Sequence, residues 1–574
     1  MGKIVFKGEI MKKRLTCLVL CLVLLASVVL TGCGNKTDDE IKDKISEEAS
    51  AEAMTLTMYL MSEAPVSADT EARVEAAINK ITEDTFKTRI DLRIYTADEY
   101  YTKLDAAIAQ RNEAIANKTY SATVSKTLSE GEKDALIRYP DAASYQVDIF
   151  YFGGQDRFDA YKNAGELANL SSSIENASKQ LTATLASQYF KTLKELDKNI
   201  YAVPSNRAIG EYTYMLLNKQ ALGATYLSAE SFTSLTDATC QSFLEQICES
   251  STLREQYVPL YTNVDGLQDL IPSVNTIGVD ANGAYADVFS IIGVDYTDGR
   301  YTGMSSVLNN SKFTEAWKTL KAYQLNGYYG TEEDVAAERD FAVGVVKGGA
   351  ELVDIYGDDY EMIPLRKPAL TTEFLYEHMM GVSQYTSNVE RSMEIITYLN
   401  TNEEFRNLLQ YGIEGKDYHL VDTEVKKNEF GDTYKAVQRS GSETYVLDPE
   451  KTGNVFLTYS LYSENLIHAI HEYGILQNKD VSTSWDLGFA MSYEGAEYVN
   501  REWMNEAQAI SNEILAAYNA ITSIDEFDAF LEAAKAKVAA ATNLGKLLAP
   551  TADGGEAHLC AGACGSLKCY FSAK

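Results

Sequence analysis

The sequence predicts an α/β fold with parallel sheets, divided over more than one lobe. Hydrophobic and polar residues alternate over 55–60 and 90–95, which is the period of a strand. Helical patterns separate these strands from each other and from a third, buried-type strand at 147–152. Strands that alternate with helices indicate parallel sheets with right-handed crossovers. The chain has 574 residues, too many for one core, which favours two or three lobes.

The carboxyl ends of these strands form a predicted ligand edge, because ligands of parallel sheets bind where the strands end. Residues 61–63, ending in Glu63, follow the first strand, and Gly153-Gly154-Gln155-Asp156 follows the third. Ser67 is a predicted N-cap of the helix between the first two strands. Both segments also fit an ordinary turn between a strand and a helix.

The remaining chain repeats this alternation. Short strands are predicted at 200–206 and 212–219, where they would cross between lobes, and at 341–349 and 360–364. The pattern over 220–340 is mostly helical, with Gly, Asn and Asp breaks. Ser387 with Glu390, and Thr401 with Glu404, predict capping boxes at the starts of two helices.

The N-terminus carries a secretory signal. Lys12-Lys13-Arg14 precede an apolar run of sixteen residues, 15–30, and Thr31-Gly32-Cys33 follow directly after Leu30. The run is shorter than the roughly 20 residues of a membrane-spanning helix. Cysteine after Leu-Thr-Gly resembles a bacterial lipoprotein signal, which implies cleavage before Cys33 and acylation of its thiol, as by palmitate. An ordinary secretory signal or an uncleaved anchor remains open. Residues 1–32 are then the signal peptide and 33–54 a disordered tether.

Charge and cysteine content exclude several classes. The formal charge is −32, and the first 32 residues hold five Lys or Arg and one Glu, so the remainder is near −36. Such a surface repels nucleic acid and anionic lipid head groups. Cys240 and Cys248 are eight residues apart in a helical pattern, about 12 Å, beyond the roughly 7 Å limit of a disulfide. We expect buried, unpaired thiols.

No catalytic or metal-binding motif stands out. His468, His471 and Glu472 share a helical pattern but not the His-Glu-x-x-His order of zinc enzymes, so a partly exposed helix face is favoured over a metal site. Carboxylate pairs suited to glycoside chemistry remain possible among 83 acidic residues. Residues 546–574 read as an irregular tail, with a metal or redox site at His558, Cys560, Cys564 and Cys569 as the alternative. We therefore expect no cofactor, no bound metal and no enzyme activity.

Several features together resemble the extracellular solute-binding lipoproteins of ABC importers, which include the maltose-binding proteins. They are the Tyr201-Ala-Val-Pro204 crossing, the helix pair 388–411, Gly412-Ile-Glu-Gly415, Gly488-Phe489 and the helical run 501–539. The resemblance covers nearly all of 55–545. It implies a two-lobe, periplasmic-binding-protein-like fold with crossing hinge strands, closure around a ligand, and delivery to a membrane permease. Lobe one would comprise 55–210 and 383–455, and lobe two 211–382 and 456–545. The insert 112–140 has no counterpart.

The same resemblance implies a carbohydrate ligand, an oligosaccharide, held by a monomer that is lipid-anchored on the outer face of the cell membrane. A surface-tethered glycoside hydrolase and a peptide-binding or signalling lipoprotein remain alternatives. After the 341–349 strand, where maltose-binding proteins have an aromatic residue, this chain has Lys347-Gly-Gly-Ala-Glu351. Trp503 lies where the family stacks an aromatic on sugar, although a tryptophan on a helix is more often part of a core. The candidate ligand residues are Glu63, Gln155, Asp156, Asn206, Arg207, Glu351, Trp503 and, with a purely structural alternative, Glu414.

Overall fold

The structure is a computed structural model that describes residues 53–544 with gaps at 118–141, 177–178, 265, 272–273, 287, 298–299, 332, 335–338, 350, 427–432, 441–444, 446, 463–466, 485–486 and 488–500. Cys33 and the predicted signal peptide lie outside the described residues. So do nearly all of the tether, most of the insert 112–140 and the tail 546–574. No described helix is both long and apolar enough to cross a membrane.

The described strands, in chain order, are β1 Met54–Ser62, β2 Thr88–Thr96, β3 Ile149–Phe152, β4 Ala202–Pro204, β5 Tyr212–Asn218, β6 Val258–Thr262, β7 Asn275–Thr276, β8 Gly278–Val279, β9 Tyr285–Ala286, β10 Ile292–Thr297, β11 Arg300–Ser306, β12 Phe341–Gly348, β13 Tyr360–Arg366, β14 Ala369–Leu370, β15 Met379–Val382, β16 Tyr418–Lys426, β17 Thr433–Arg439, β18 Ser460–Leu461 and β19 Ser482–Thr483.

The described α-helices are α1 Ala68–Phe86, α2 Ala97–Ala116, α3 Gln155–Asn163, α4 Ser171–Asn176, α5 Lys179–Thr184, α6 Ser187–Asp197, α7 Lys219–Thr225, α8 Ala238–Glu249, α9 Ser251–Gln256, α10 Leu267–Leu270, α11 Ser311–Leu325, α12 Glu351–Tyr356, α13 Thr372–Glu377, α14 Val389–Thr401, α15 Glu403–Tyr411, α16 Ile467–Asp480, α17 Arg501–Asn519 and α18 Phe527–Ala540.

The first large sheet has the order β2-β1-β3-β15-β4. β1 is parallel to β2 and to β3, which confirms the predicted alternation at the start of the chain. β15 is antiparallel to both of its neighbours, β3 and β4. The parallel direction predicted for the first three strands is confirmed, and the sheet as a whole is mixed because a strand from much later in the chain enters it in the opposite direction.

The second large sheet has the order β13-β5-β12-β6 and is also mixed. β5 is antiparallel to β12 and β13, whereas β6 is parallel to β12. The mostly helical interpretation of 220–340 was wrong, since six strands lie between 258 and 306. Most of them are two to seven residues long and interrupted by turns, too short to give a clear period of two.

Two main hydrophobic cores follow the two sheets. The first packs β1 and β3 against helices that include α1 and α14, and the second packs β5 and β12 against α8, α11 and α17. Leu370, Leu375, Tyr376 and Met379 belong to the first core. The predicted boundary at 382/383 thus differs from the packing, because β15 belongs to the first sheet. We keep the two-lobe division as a proposal, with this boundary near β14.

The helix starts show which polar residues act as caps. The Ser67 hydroxyl accepts a hydrogen bond from the Thr70 N–H at the start of α1, as predicted. For α14 and α15 the caps are Asn388 and Asn402, each accepting from the N–H three residues on. The capping boxes predicted from Ser387 and Thr401 were wrong by one residue, since asparagine caps as well as serine does.

The described part of the chain includes both helical cysteines and the side chain of one of the two neighbouring histidines. Cys240 is buried and Cys248 half-buried, and both are free thiols, as expected. His471 is buried on α16 with its ring edge-on to Phe456, and the His468 side chain lies outside the described part. Across the described ranges no group of three His, Cys, Asp or Glu side chains is placed to hold a metal ion.

Candidate ligand-binding edges of the two lobes

The ligand edge of the first sheet is defined by strand register. Phe152 at the end of β3 pairs with Met379, and Met379 pairs with Pro204 at the end of β4. β1 ends at Ser62 beside the end of β2. The segments that leave these strand ends therefore converge, and we refer to them, with the segments packed on them, as the lobe-one edge.

A network of ion pairs lies on this edge around Arg207, which follows β4. One guanidinium nitrogen lies 3.1 Å from a Glu450 carboxylate oxygen and the other pairs with Glu377. The guanidinium carbon also lies 3.8 Å from the centre of the Phe374 ring, a cation–π geometry. Arg207 is thereby fixed on three sides, and Glu377 and Glu450 remain substantially exposed.

His378 extends the network into the sheet. Its Nε2 lies 3.4 Å from Glu450, and its Nδ1 lies 3.0 Å from the Tyr151 hydroxyl. The His378 contact, followed by Arg207, holds the pKa of Glu450 below its usual value, so this carboxyl is ionised at neutral pH. Burial raises the pKa of Tyr151, which keeps its hydroxyl protonated.

A second ion-pair group lies at the β1 end of the edge. Lys451 pairs with Glu63 and lies 3.2 Å from Asp448. The segment that carries Lys451 is attached to the first sheet, because Ser62 bridges to Leu447 and the Ser205 hydroxyl donates to the Glu450 carbonyl at 2.5 Å. Residues 447–451 therefore bring three charged side chains to strand ends that are far away in sequence.

An aromatic and a basic residue flank the β3 end. The Tyr101 hydroxyl, in the first turns of α2, accepts a hydrogen bond from the Gly153 N–H at 3.1 Å. The Arg157 guanidinium carbon lies 4.1 Å from the centre of the Tyr101 ring, and Arg157 also pairs with Asp105 at 3.0 Å. Gly154 has a φ of +89°, which permits the turn between β3 and α3. A ring beside a turn without side chains suits a flat, polar ligand.

The structure distributes the nominated lobe-one residues unevenly. Glu63 and Arg207 are both in the ion-pair network described above. Asp156 is exposed in the first turn of α3, and Gln155 hydrogen-bonds to Asp159 on the same helix. Asn206 is buried, and its amide donates to Asn454 at 3.1 Å and accepts from the Ala186 N–H. Its geometry fits a structural link between segments.

Glu414 is exposed in the turn that follows α15. Gly412 and Gly415 have φ values of +85° and +79°, and the Asp417 carboxylate accepts from the Ile413 N–H inside the turn. Asp417 also pairs with Arg73 on α1 at 2.5 Å. Among the described contacts none joins Glu414 to the Arg207 network, so the structural alternative for this turn gains weight.

The corresponding edge of the second sheet lies where β12 ends, at Gly348, which pairs with Tyr212 at the start of β5. Lys347 lies 3.5 Å from Asp269, and Asp269 accepts from the Thr213 hydroxyl at 3.3 Å. The Tyr212 and Tyr214 rings stack with centroids 4.8 Å apart. We refer to these residues as the lobe-two edge.

Two nominated residues belong to the second lobe. Glu351 is the first residue of α12, directly after the β12 turn, and its side chain lies outside the described part. Trp503 lies in the first turn of α17, where its ring is partly buried against the second core. This position is compatible with both roles considered for Trp503, core packing and sugar stacking.

Two crossing segments that join the lobes are attached to the end of α16. The buried Asn478 accepts from the Ile209 N–H and donates to the Arg207 carbonyl, both at 2.8 Å. Gln477 donates to the Ile209 and Gly210 carbonyls at 2.9 and 2.8 Å. On the other crossing, the Ser482 N–H donates to the Pro368 carbonyl at 2.9 Å. One helix end thus holds two of the three connections that the lobe division implies.

A single sequence gives no local signal for most of this network. Glu450 lies 243 residues from Arg207, and no local pattern marks either His378 or Lys451. Tyr101 did have a signal, because it lies in the first turns of the helix after β2, where parallel sheets place ligand contacts.

Comparisons with known proteins agree with the resemblance predicted from sequence. The chain is 23% identical over 433 residues to a carbohydrate ABC transporter substrate-binding protein of Streptococcus pneumoniae serotype 4, covering 73% of this chain and 81% of the relative. No family model matches the chain. The resemblance to a substrate-binding protein of an ABC importer is confirmed, and the predicted α/β class is confirmed by the sheets and helices described above.

Solved structures show likeness at low identity. The N-glycan transport solute-binding protein of Streptococcus pneumoniae is 20% identical with a TM-score of 0.46, covering 84% of this chain and 96% of that chain. An extracellular solute-binding protein of Bifidobacterium longum subsp. infantis is 14% identical with a TM-score of 0.40, covering 85% and 96%.

Proposed function

We propose that this chain is the substrate-binding component of an ABC importer and captures a carbohydrate, an oligosaccharide, outside the cell. The similarity to a carbohydrate ABC transporter substrate-binding protein along most of both chains supports this proposal most directly. Under it, the chain acts as a monomer on the outer face of the membrane, held by lipid on Cys33, and passes its ligand to a permease.

The lobe-one edge has the chemistry that a sugar requires. The exposed carboxylates of Glu63, Glu377 and Glu450 can accept hydrogen bonds from hydroxyl groups. The Tyr101 ring offers an aromatic surface beside them. Polar groups that fix the orientation of a ligand beside an aromatic surface are typical of small-molecule sites.

Closure would bring the lobe-two edge, including Tyr212 and Lys347, against the opposite face of the ligand. Hinge motion requires connections that absorb backbone rotation, and the two crossings held by the end of α16 are the segments where it would occur. Gln155, Asp156, Glu351 and Trp503 stay in this proposal as candidate contacts. The two-edge arrangement accounts for capture without covalent chemistry.

The experiment uses residues 34–574, purified without the lipid anchor, and a panel of oligosaccharides and peptides. Thermal shift and calorimetry report binding, and a ligand at 100 times its Kd should stabilise the protein by about 2.7 kcal/mol. Chromatography of the same incubations reports cleavage. Saturable oligosaccharide binding without product supports the proposal, whereas product formation supports a glycoside hydrolase and peptide binding supports the third alternative.

A further inference from the structure

The three cations described on the lobe-one edge are all paired with carboxylates. Arg207 is shared by Glu377 and Glu450, and Lys451 by Glu63 and Asp448. Arg157 is paired with Asp105. Five carboxylates therefore face three fixed positive charges, with His378 as a further member of the network.

In the Arg207 and Lys451 groups, the carboxylates are more exposed to solvent than the cation that they share. The Arg207 side chain is 12% exposed, against 48% for Glu377 and 43% for Glu450. Lys451 is 18% exposed, against 60% for Glu63. A molecule that approaches these two groups from solvent therefore meets carboxylate oxygens before it reaches the guanidinium or the ammonium group, whereas in the third pair Arg157 and Asp105 are similarly exposed, at 40% and 45%.

The lobe-two edge and the adjoining crossing have paired cations as well. Lys347 lies 3.5 Å from Asp269, and Lys367 on the second crossing lies 2.5 Å from Asp480. In these two pairs the lysine is more exposed than its carboxylate, at 38% against 12% and 58% against 40%, so the second lobe contributes paired cations but not the carboxylate-first order of the first.

We infer that the site selects neutral, hydroxyl-rich glycans and discriminates against glycans that carry a carboxylate, such as uronates or sialylated chains. The inference rests on the proposed carbohydrate-binding function and names the class of carbohydrate. Hydroxyl groups can donate to the exposed carboxylates without disturbing any ion pair. A ligand carboxylate would have to displace Glu377 or Glu450 from Arg207 and would then remain within a few ångströms of the displaced charge.

The test compares neutral oligosaccharides from the panel with the same molecules after oxidation of a terminal C6 hydroxyl to a carboxylate. Sialylated and uronate oligosaccharides are screened in parallel. At low salt we expect each oxidised probe to bind at least tenfold more weakly than its neutral parent, a difference of about 1.4 kcal/mol. The ratio should shrink as salt rises, since exposed charges are screened.

Two variants assign the effect to this edge. Glu377→Gln and Glu63→Gln each remove an exposed carboxylate and should narrow the ratio of neutral to acidic affinity at least threefold. Glu175→Gln is the matched control, because Glu175 is also an exposed carboxylate paired with a lysine, Lys194. It lies on α4, just after Leu170, whose N–H bonds to Ile200 before β4 begins, at the opposite end of the strand. The control should leave the ratio unchanged.

The outcomes are distinct. Equal or tighter binding of an acidic probe by the unaltered chain would overturn the inference while leaving carbohydrate binding intact. An unchanged ratio in both edge variants would also overturn it, because the selectivity would then arise elsewhere. Failure of every glycan to bind would overturn the proposed function and this inference together.

Discussion

Replacing Asn478 by alanine should both destabilise the protein and weaken ligand binding. The side chain is 8% exposed, and its loss leaves the Ile209 N–H without its partner and the Arg207 carbonyl with only the Tyr189 hydroxyl, at 3.4 Å. An unsatisfied buried backbone group costs about 1–3 kcal/mol, so we expect a loss of about 1–3 kcal/mol from the Ile209 N–H and a smaller one from the Arg207 carbonyl. Because the lost contacts hold the crossing just behind Arg207, ligand affinity should fall at least fivefold, about 1 kcal/mol.

The chain offers a matched control in Asn79. This asparagine is 5% exposed, and its amide bonds to both the N–H and the carbonyl of Ile90, at 2.6 and 2.9 Å, inside the first core. Asn79→Ala should therefore cause a loss of stability at least as large without altering the crossing. We expect its ligand affinity, measured below the melting transition, to stay within twofold of the parent.

Calorimetry gives the affinity of the folded fraction, and thermal denaturation without ligand gives the stability. Small-angle scattering with and without saturating oligosaccharide reports closure. If both variants lose stability equally and both keep the parent affinity and the parent change in radius, then Asn478 is only a structural residue. The reasoning about the hinge would then be refuted.

Three further predictions concern the anchor, the aromatic candidate and pH. Cys33→Ala should move the protein from the detergent phase to the aqueous phase; retention with membranes would place the anchor elsewhere. Trp503→Ala should weaken sugar binding about 5- to 150-fold if the ring stacks on sugar, from about 1–3 kcal/mol of burial, whereas a lower melting temperature with normal affinity would mark it as core. Burial, then Glu75 and Asp91, raise the pKa of Glu71 to about 7 from 4.5. The folded state then binds the extra proton, so stability should fall as pH rises from about 5 to 8, and Glu71→Gln should remove that fall. If the melting temperatures of the parent and of Glu71→Gln change with pH in the same way over this range, the prediction is wrong.

Local sequence patterns predicted the strands in which apolar and polar residues alternate. Leu56, Met58 and Leu60 alternate with Thr55, Thr57 and Tyr59, and they lie in β1, an interior strand of the first sheet between β2 and β3. The Ser67 cap was recognisable because serine before a helical apolar pattern has one common role. Such signals span a few residues and depend little on the rest of the fold.

The antiparallel strands of the second lobe were not predicted, although the sequence between β10 and β11 is typical of a hairpin. Asp298-Gly299 separates β10 from β11, and Asp-Gly between two strands is typical of a hairpin. The Arg207 network had no such signal, because Glu377 and Glu450 reach it only through tertiary packing. Predicting it would require the register of β15 against β4, which no residue of either strand encodes locally.

The position of β15 also bears on how the newly made chain behaves. In the first sheet β4 pairs with β15, and β15 lies 175 residues after β4 in the chain. The sheet therefore stays incomplete until residues 379–382 have been synthesised, and β4 has no edge to join before then. Contacts so distant in sequence slow folding. If the chain is exported, as the predicted signal implies, this delay would keep the nascent chain able to pass through a narrow translocation channel, and the first sheet would be completed only after β15 has crossed the membrane.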